Sequence, residues 1–167
     1  ELTCKVLTGT ATARQELIGP DNDADIWITS YDLLKRDIAL YEDIIFANQI
    51  IDEAQYIKNH STQASKAVRL IQSSFRLALT GTPIENQLSE LWSIFDYLMP
   101  GFLYNYPTFK NRYESAIVND QDKETSDRLR RLVHPFILRR LKKDVLKELP
   151  DKIEKVVSVH LEGEQKK

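Results

Sequence analysis

Two adjacent carboxylates, Asp52 and Glu53, close a short apolar run in the stretch QIIDEAQYIKN, residues 49–59. An apolar run of this kind suits a buried strand of a parallel sheet. Carboxylates at the C-terminal end of such a strand stand where α/β sheets bind their ligands. There a carboxylate pair can hold Mg²⁺ and orient a water, which is the chemistry of nucleoside triphosphate hydrolysis. Taken alone, the same residues read more simply as a strand followed by an acidic helix start, where the helix dipole favours Asp and Glu.

A second polar set follows at Thr80-Gly81-Thr82-Pro83, directly after the strand-like run Phe75–Leu79. By itself it is a turn leading into a helix. If both runs are neighbouring parallel strands, however, both loops open on one sheet edge, and hydroxyls stand beside the acid pair. A third set is basic. Between Arg128 and Lys147 there are eight Lys or Arg against one acid, Asp144, a local net of +7. Such a cluster can neutralise phosphates with a salt-dependent affinity, or it can be a solvated helix face with internal ion pairs.

The elements that must carry these residues follow from periodicity. Strands are expected at Cys4–Leu7, Asp25–Thr29, within Ile44–Asp52 and at Phe75–Leu79. Helices are expected at Arg14–Ile18, at Tyr31–Lys35 after a Ser30 cap, and over Ala64, Ala67, Val68 and Ile71, spaced as one helix face. A strongly amphipathic helix is marked by Leu88, Leu91, Trp92, Phe95 and Leu98, and Pro100-Gly101 ends it. Strand and helix in alternation predict βαβ units, with these four strands in one parallel layer. From residue 101 to 150 the pattern turns helical, at Thr108–Ile117, Lys123–His134 and Leu141–Lys147, and a last strand is expected at Ile153–Leu161. The domain reading is an α/β lobe over 1–100, a helical insertion over 101–150, and a return strand and linker over 151–167.

With 42% hydrophobic and 29% charged residues, the composition is that of an ordinary globular chain. The net charge of −2 gives no overall basic signature, so any nucleic-acid surface must come from local clustering. Cys4 is the only cysteine, which excludes an intrachain disulfide and suggests a small buried hydrophobe. No apolar run approaches the roughly 18 residues of a membrane span, so no membrane partner is expected. His60, His134 and His160 lack metal-ligand spacing, while Trp27 and Trp92 sit on apolar faces as core candidates. Tyr104 and Tyr106 are expected to pack against the helical insertion.

In order and spacing, these blocks resemble the SNF2 family of helicase-like, DNA-dependent ATPases. Asp52-Glu53-Ala54-Gln55 resembles its motif II, a Walker B box of the DEAQ variety. Leu79-Thr80-Gly81-Thr82-Pro83 resembles motif III, and Ile28-Thr29-Ser30-Tyr31-Asp32 resembles motif Ib. Pro135-Phe136-Ile137-Leu138-Arg139-Arg140, with Lys142, Asp144, Val145, Leu149 and Pro150, resembles the segment after the family's helical protrusion. The resemblance covers nearly the whole chain. It implies a partial RecA-like parallel sheet flanked by helices, with a helical insertion toward the C-terminus.

The resemblance also implies roles. Asp52 would hold the Mg²⁺ that accompanies ATP, Glu53 would polarise the attacking water, and Gln55 would relay the state of the nucleotide. Thr80, Gly81 and Thr82 would couple hydrolysis to movement between two lobes. Thr29, Ser30 and Tyr31 would lie near the backbone of double-stranded DNA, and Arg139 and Arg140 would contact either DNA or the second RecA-like lobe. A phosphate-binding loop needs Gly-Lys, and none of Gly9, Gly19, Gly81, Gly101 and Gly163 is followed by Lys. The chain is therefore expected to be a piece of a longer polypeptide, a double-stranded DNA translocase that remodels bound proteins, and to be inactive by itself. The DEAQ variant implies a bacterial or archaeal protein working in the cytoplasm or nucleoid. Two rivals remain at this level: a non-catalytic DNA- or protein-binding module, and a Mg²⁺-dependent nuclease using Asp52 and Glu53.

Overall fold

The computed structural model describes residues 1–19, 22–81 and 87–140. These fall in two compact units, the first closing at Leu129 and the second opening at Arg130.

The first unit begins with strand β1 (Cys4–Val6), paired in parallel with β2 (Ile26–Ile28), Cys4 opposite Ile26. Helix α1 (Ala11–Leu17) joins them. It starts three residues before the expected Arg14 because Thr10 caps it, its hydroxyl oxygen accepting from the Ala13 N–H at 3.3 Å. Gly9 turns the chain into this cap with φ of 100°, a conformation that favours glycine. Helix α2 (Tyr31–Asp37) follows β2 and is capped by Ser30, as its sequence suggests.

Strands β3 (Ile45–Ile51) and β4 (Gln72–Ala78) form a second parallel pair, with Ile51 opposite Ala78. Their crossover carries α3 (Gln63–Leu70), capped by Thr62. Ala67, Val68 and Ile71 are buried, on the expected face. Helix α4 (Leu88–Leu98) follows β4. Beyond it, α5 (Tyr106–Phe109), a π-helical turn at Lys110–Glu114 and α6 (Ser115–Val118) succeed one another without a break. Capped by Asn105, whose side-chain oxygen accepts from the Thr108 N–H at 3.0 Å, this stretch starts two residues before the expected Thr108. Helix α7 (Lys123–Val133) comes next. Among the described residues no strand follows β4. The helix expected at Leu141–Lys147 and the strand at Ile153–Leu161 lie outside them.

The expectation of a single four-stranded layer needs correction. The strands form two separate pairs, β1-β2 and β3-β4. Between β2 and β3 lies a cavity of about 940 Å³, lined by Ile26, Trp27 and Ile28 on one side and Phe46, Asn48 and Ile50 on the other. No backbone ladder crosses it. Trp27 meets Phe46 edge to face with ring centroids 5.5 Å apart, and this side-chain contact joins the two pairs. One face of each pair is covered by the core of Leu7, Ile18, Leu34, Ile51, Ile57 and Val68. The opposite face is open: Val6, Ile26 and Ile28 are exposed on the first pair, and Ile50, Phe75 and Leu77 on the second. Cys4 shares that open face and is exposed, which corrects its expected burial.

A buried ion pair ties α1 to α2. Arg14 donates to Asp37 through Nε at 2.5 Å and Nη2 at 2.8 Å, and to the Gly9 carbonyl through Nη1 at 2.6 Å. The guanidinium holds the Asp37 carboxyl below the usual carboxylate range. The stability this adds is present above the ordinary Asp range and is lost as pH falls through the depressed folded value. His60, Trp92 and Tyr106 form an aromatic cluster with centroids 5.1–5.4 Å apart, so Tyr106 packs against α4 and His60 has a packing role. Tyr104 carries the Arg112 guanidinium over its ring at 4.7 Å.

Candidate functional site

The acid pair sits at the C-terminal end of β3, beside the end of β4. Two backbone bonds extend the ladder past the strands, Leu79 N–H to the Ile51 carbonyl at 2.8 Å and Ala54 N–H to the Leu79 carbonyl at 2.9 Å. They bring the Asp52–Gln55 turn against Thr80. The turn is rooted by Ala54 and Ile57, both fully buried, in a 3-10 segment at Ala54–Ile57. Ser93 of α4 donates its hydroxyl to the Ile57 carbonyl at 2.6 Å. Arg69 of α3 holds Ser93 in turn, donating to its carbonyl at 2.8 Å while pairing with Asp96 at 3.1 Å. The exposed acids thus stand on a stiff base.

A chain of hydrogen bonds runs across the two strand ends. The Asp52 carboxylate accepts from the Glu53 N–H at 2.8 Å. Gln55 donates from Nε2 to Glu53 Oε2 at 2.6 Å and accepts at Oε1 from the Thr80 hydroxyl at 2.9 Å. Gln55 bridges the acid pair to the next strand end, and an amide is suited to this because it donates and accepts at once. Asp52 and Glu53 are exposed, while Gln55 and Thr80 are half-buried. Gly81 is exposed beside Thr80, and Thr82 lies outside the described residues.

Glu53 has φ of 49° and ψ of 52°, in the left-handed region. For a non-glycine residue this costs of order 1–2 kcal/mol. No sequence signal marks it, since Glu has no preference for that region. Glycine accepts it without strain, so Glu53→Gly is expected to raise the urea midpoint or leave it unchanged, even though the substitution removes a site carboxylate. A clear loss of stability would mean that the Glu53 side-chain contacts outweigh the strain.

Of the residues expected near DNA, Thr29 is half-buried and Ser30 is exposed, with its hydroxyl oxygen accepting from the Leu33 N–H at 3.3 Å. Tyr31 turns toward the acid pair: its hydroxyl donates to the Asp52 carbonyl at 2.7 Å. Its ring lies against Tyr56, with centroids 5.5 Å apart. Tyr56 was not legible as part of the site; its one sequence signal is an aromatic directly after Gln55. Arg139 and Arg140 belong to the second unit and are exposed. In the same unit Arg130, Arg131 and His134 line a small hollow of about 340 Å³. Lys142, Lys143 and Lys147 lie outside the described residues.

Mg²⁺ prefers carboxylate, phosphate and water oxygens and keeps several waters, so one or two carboxylates suffice when a nucleotide brings the rest. Asp52 and Glu53 fit that demand. A metal site built by the protein alone needs more donors, and among the described residues no group of three or more His, Cys, Asp or Glu comes together.

The chain is similar along its length to proteins of one kind. The family model described as SNF2-related domain matches residues 2–167. TATA-binding protein-associated factor MOT1 of Saccharomyces cerevisiae is 42% identical over 159 residues, covering 89% of this chain and 8% of that protein. A putative ATP-dependent helicase/translocase of Bacillus subtilis, YwqA, is 40% identical over 145 residues, covering 86% of this chain and 16% of that protein. Among solved structures, the Sulfolobus solfataricus SWI2/SNF2 ATPase core in complex with dsDNA superposes with a TM-score of 0.77 at 40% identity. That match covers 92% of this chain and 32% of the solved one. The chain therefore spans a minor part of each relative's length, and its α/β architecture is that of a portion of the RecA-like SNF2 ATPase core. By its sequence and its fold, the chain belongs to the SNF2-related domain family.

Proposed function

We propose that this chain supplies the metal-and-water half of the ATPase site in a double-stranded DNA translocase of SNF2 type. The observation that carries the reading is the Gln55 bridge, which ties Glu53 at the end of one strand to Thr80 at the end of the next. Phosphoryl transfer is mostly positioning and charge stabilisation, so a few well-held groups suffice. Mg²⁺ brought with ATP offsets charge on the phosphates. Asp52 would hold that ion, and Glu53 would orient and polarise the attacking water. Gln55 and Thr80 pass the state of the site to the β4 end and onward, through Gly81 and Thr82, to a second RecA-like lobe of the same polypeptide. Thr29 and Ser30 grip DNA phosphates, contacts that fix register without reading sequence. Arg139 and Arg140 add positive charge for DNA or for the second lobe. A nuclease reading lacks support, because the acid pair gathers no third carboxylate among the described residues.

The test is ATP hydrolysis by the longer polypeptide that contains this chain, measured with and without duplex DNA. Turnover is expected to rise with duplex, and the 167-residue chain alone is expected to be inactive. Duplex binding without any nucleotide hydrolysis by the longer protein would favour the binding-module reading instead.

A further inference from the structure

We propose that Tyr31 is a positioning residue that transmits DNA engagement at Thr29–Ser30 to the acid pair by fixing the peptide plane between Asp52 and Glu53. This rests on the ATPase reading above and extends it to the control of that site.

Tyr31 is the first residue of α2, directly after Ser30. Its hydroxyl reaches the Asp52 carbonyl, which belongs to the same peptide unit as the Glu53 N–H. That N–H is itself bonded to the Asp52 carboxylate. Both ends of one peptide plane are thus held, one by Tyr31 and one by the first acid. The plane leads into the left-handed Glu53 backbone, so it decides where the Glu53 carboxylate points. The Tyr31 ring also lies against Tyr56, giving it a hold on both sides of the Glu53–Gln55 segment. Any displacement of the Thr29–Ser30 segment is passed straight to Tyr31 through the chain.

Phenylalanine keeps the ring and its contact with Tyr56 and removes only the hydrogen bond.

The experiment compares wild type and Tyr31→Phe in the longer polypeptide, measuring basal turnover, turnover at saturating duplex, KM for ATP, duplex affinity and thermal midpoint. The expected result is a loss of about tenfold in DNA-stimulated kcat, the scale of one lost hydrogen bond. The ratio of stimulated to basal turnover should fall several-fold, while KM, duplex affinity and thermal midpoint stay within about twofold or a few degrees. Unchanged stimulation overturns the proposal. So does an equal fall of basal and stimulated rates, which would make Tyr31 a static support, or a matching fall in duplex affinity, which would make it a DNA contact. Wild type that hydrolyses no ATP overturns the underlying ATPase reading, and the coupling role with it. If Tyr31→Phe lowers the thermal midpoint, Tyr56→Leu decides between the roles: it removes the ring contact and keeps the hydroxyl bond, so stimulation should survive it.

Discussion

Replacing Glu53 by Gln in the longer polypeptide is expected to lower ATP turnover by roughly 10²–10⁴-fold, the usual worth of a positioned proton-accepting group. Nucleotide and duplex binding should be nearly unchanged. The substitution suits the question because Gln has the shape of Glu and can still accept from Gln55 Nε2, so the bridge to Thr80 need not break. What is lost is the charge that the proposed mechanism turns toward the attacking water. Steady-state hydrolysis at saturating duplex, with fluorescent-nucleotide and duplex binding as controls, checks the result. A variant retaining more than about a tenth of wild-type turnover would place the water-polarising role elsewhere.

The second large effect is expected one turn further on. Ile57→Ala should destabilise the fold by about 2–5 kcal/mol, the range for truncating a buried aliphatic side chain to alanine. Ile57 is fully buried, and its carbonyl receives hydroxyl hydrogen bonds from Ser93 at 2.6 Å and Ser65 at 3.4 Å. The backbone there is pinned from α3 and α4 and cannot collapse freely into the space the side chain leaves. The cost should therefore fall toward the upper half of that range. Urea unfolding checks it, as a lower midpoint with an unchanged slope. A cost below about 1 kcal/mol would mean that the base of the acid-bearing turn repacks easily. The two substitutions should separate cleanly: the first removes chemistry with the fold intact, and the second loosens the platform beneath it.

The strands and the residues placed at their ends were legible because local pattern carries them. Ile50-Ile51 and the acids after them mark the end of β3, and Thr80-Gly81 marks the end of β4. Ser30 and Thr62 announce their helices. Three things were not legible, each for a non-local reason. The split of the sheet depends on which edges find a partner, and four strand-like runs do not state that. The direction of Tyr31 depends on the Asp52 carbonyl, twenty-one positions away; in its hydroxyl-rich segment it reads as a surface residue. The Arg14–Asp37 pair joins residues 23 apart that each look like an ordinary charge on a short helix. The left-handed Glu53 backbone has a different cause, since it runs against the residue's own preference and is imposed by the hydrogen bonds around it.

The open faces of the two strand pairs bear on how this chain behaves in a tube. Parallel sheets are ordinarily covered on both sides, and here Val6, Ile28, Ile50, Phe75 and Leu77 meet water directly. A net charge of −2 offers little mutual repulsion to keep such surfaces apart. Colloidal behaviour is therefore governed by the sheet rather than by charge, and excluded salts such as sulfate will drive molecules together sooner than they would a chain with both faces clothed. A carboxylate introduced at Phe75, opposite Asn48 and set back from the strand ends that carry the acid turn, adds repulsion on that face and offers a route to concentrated samples.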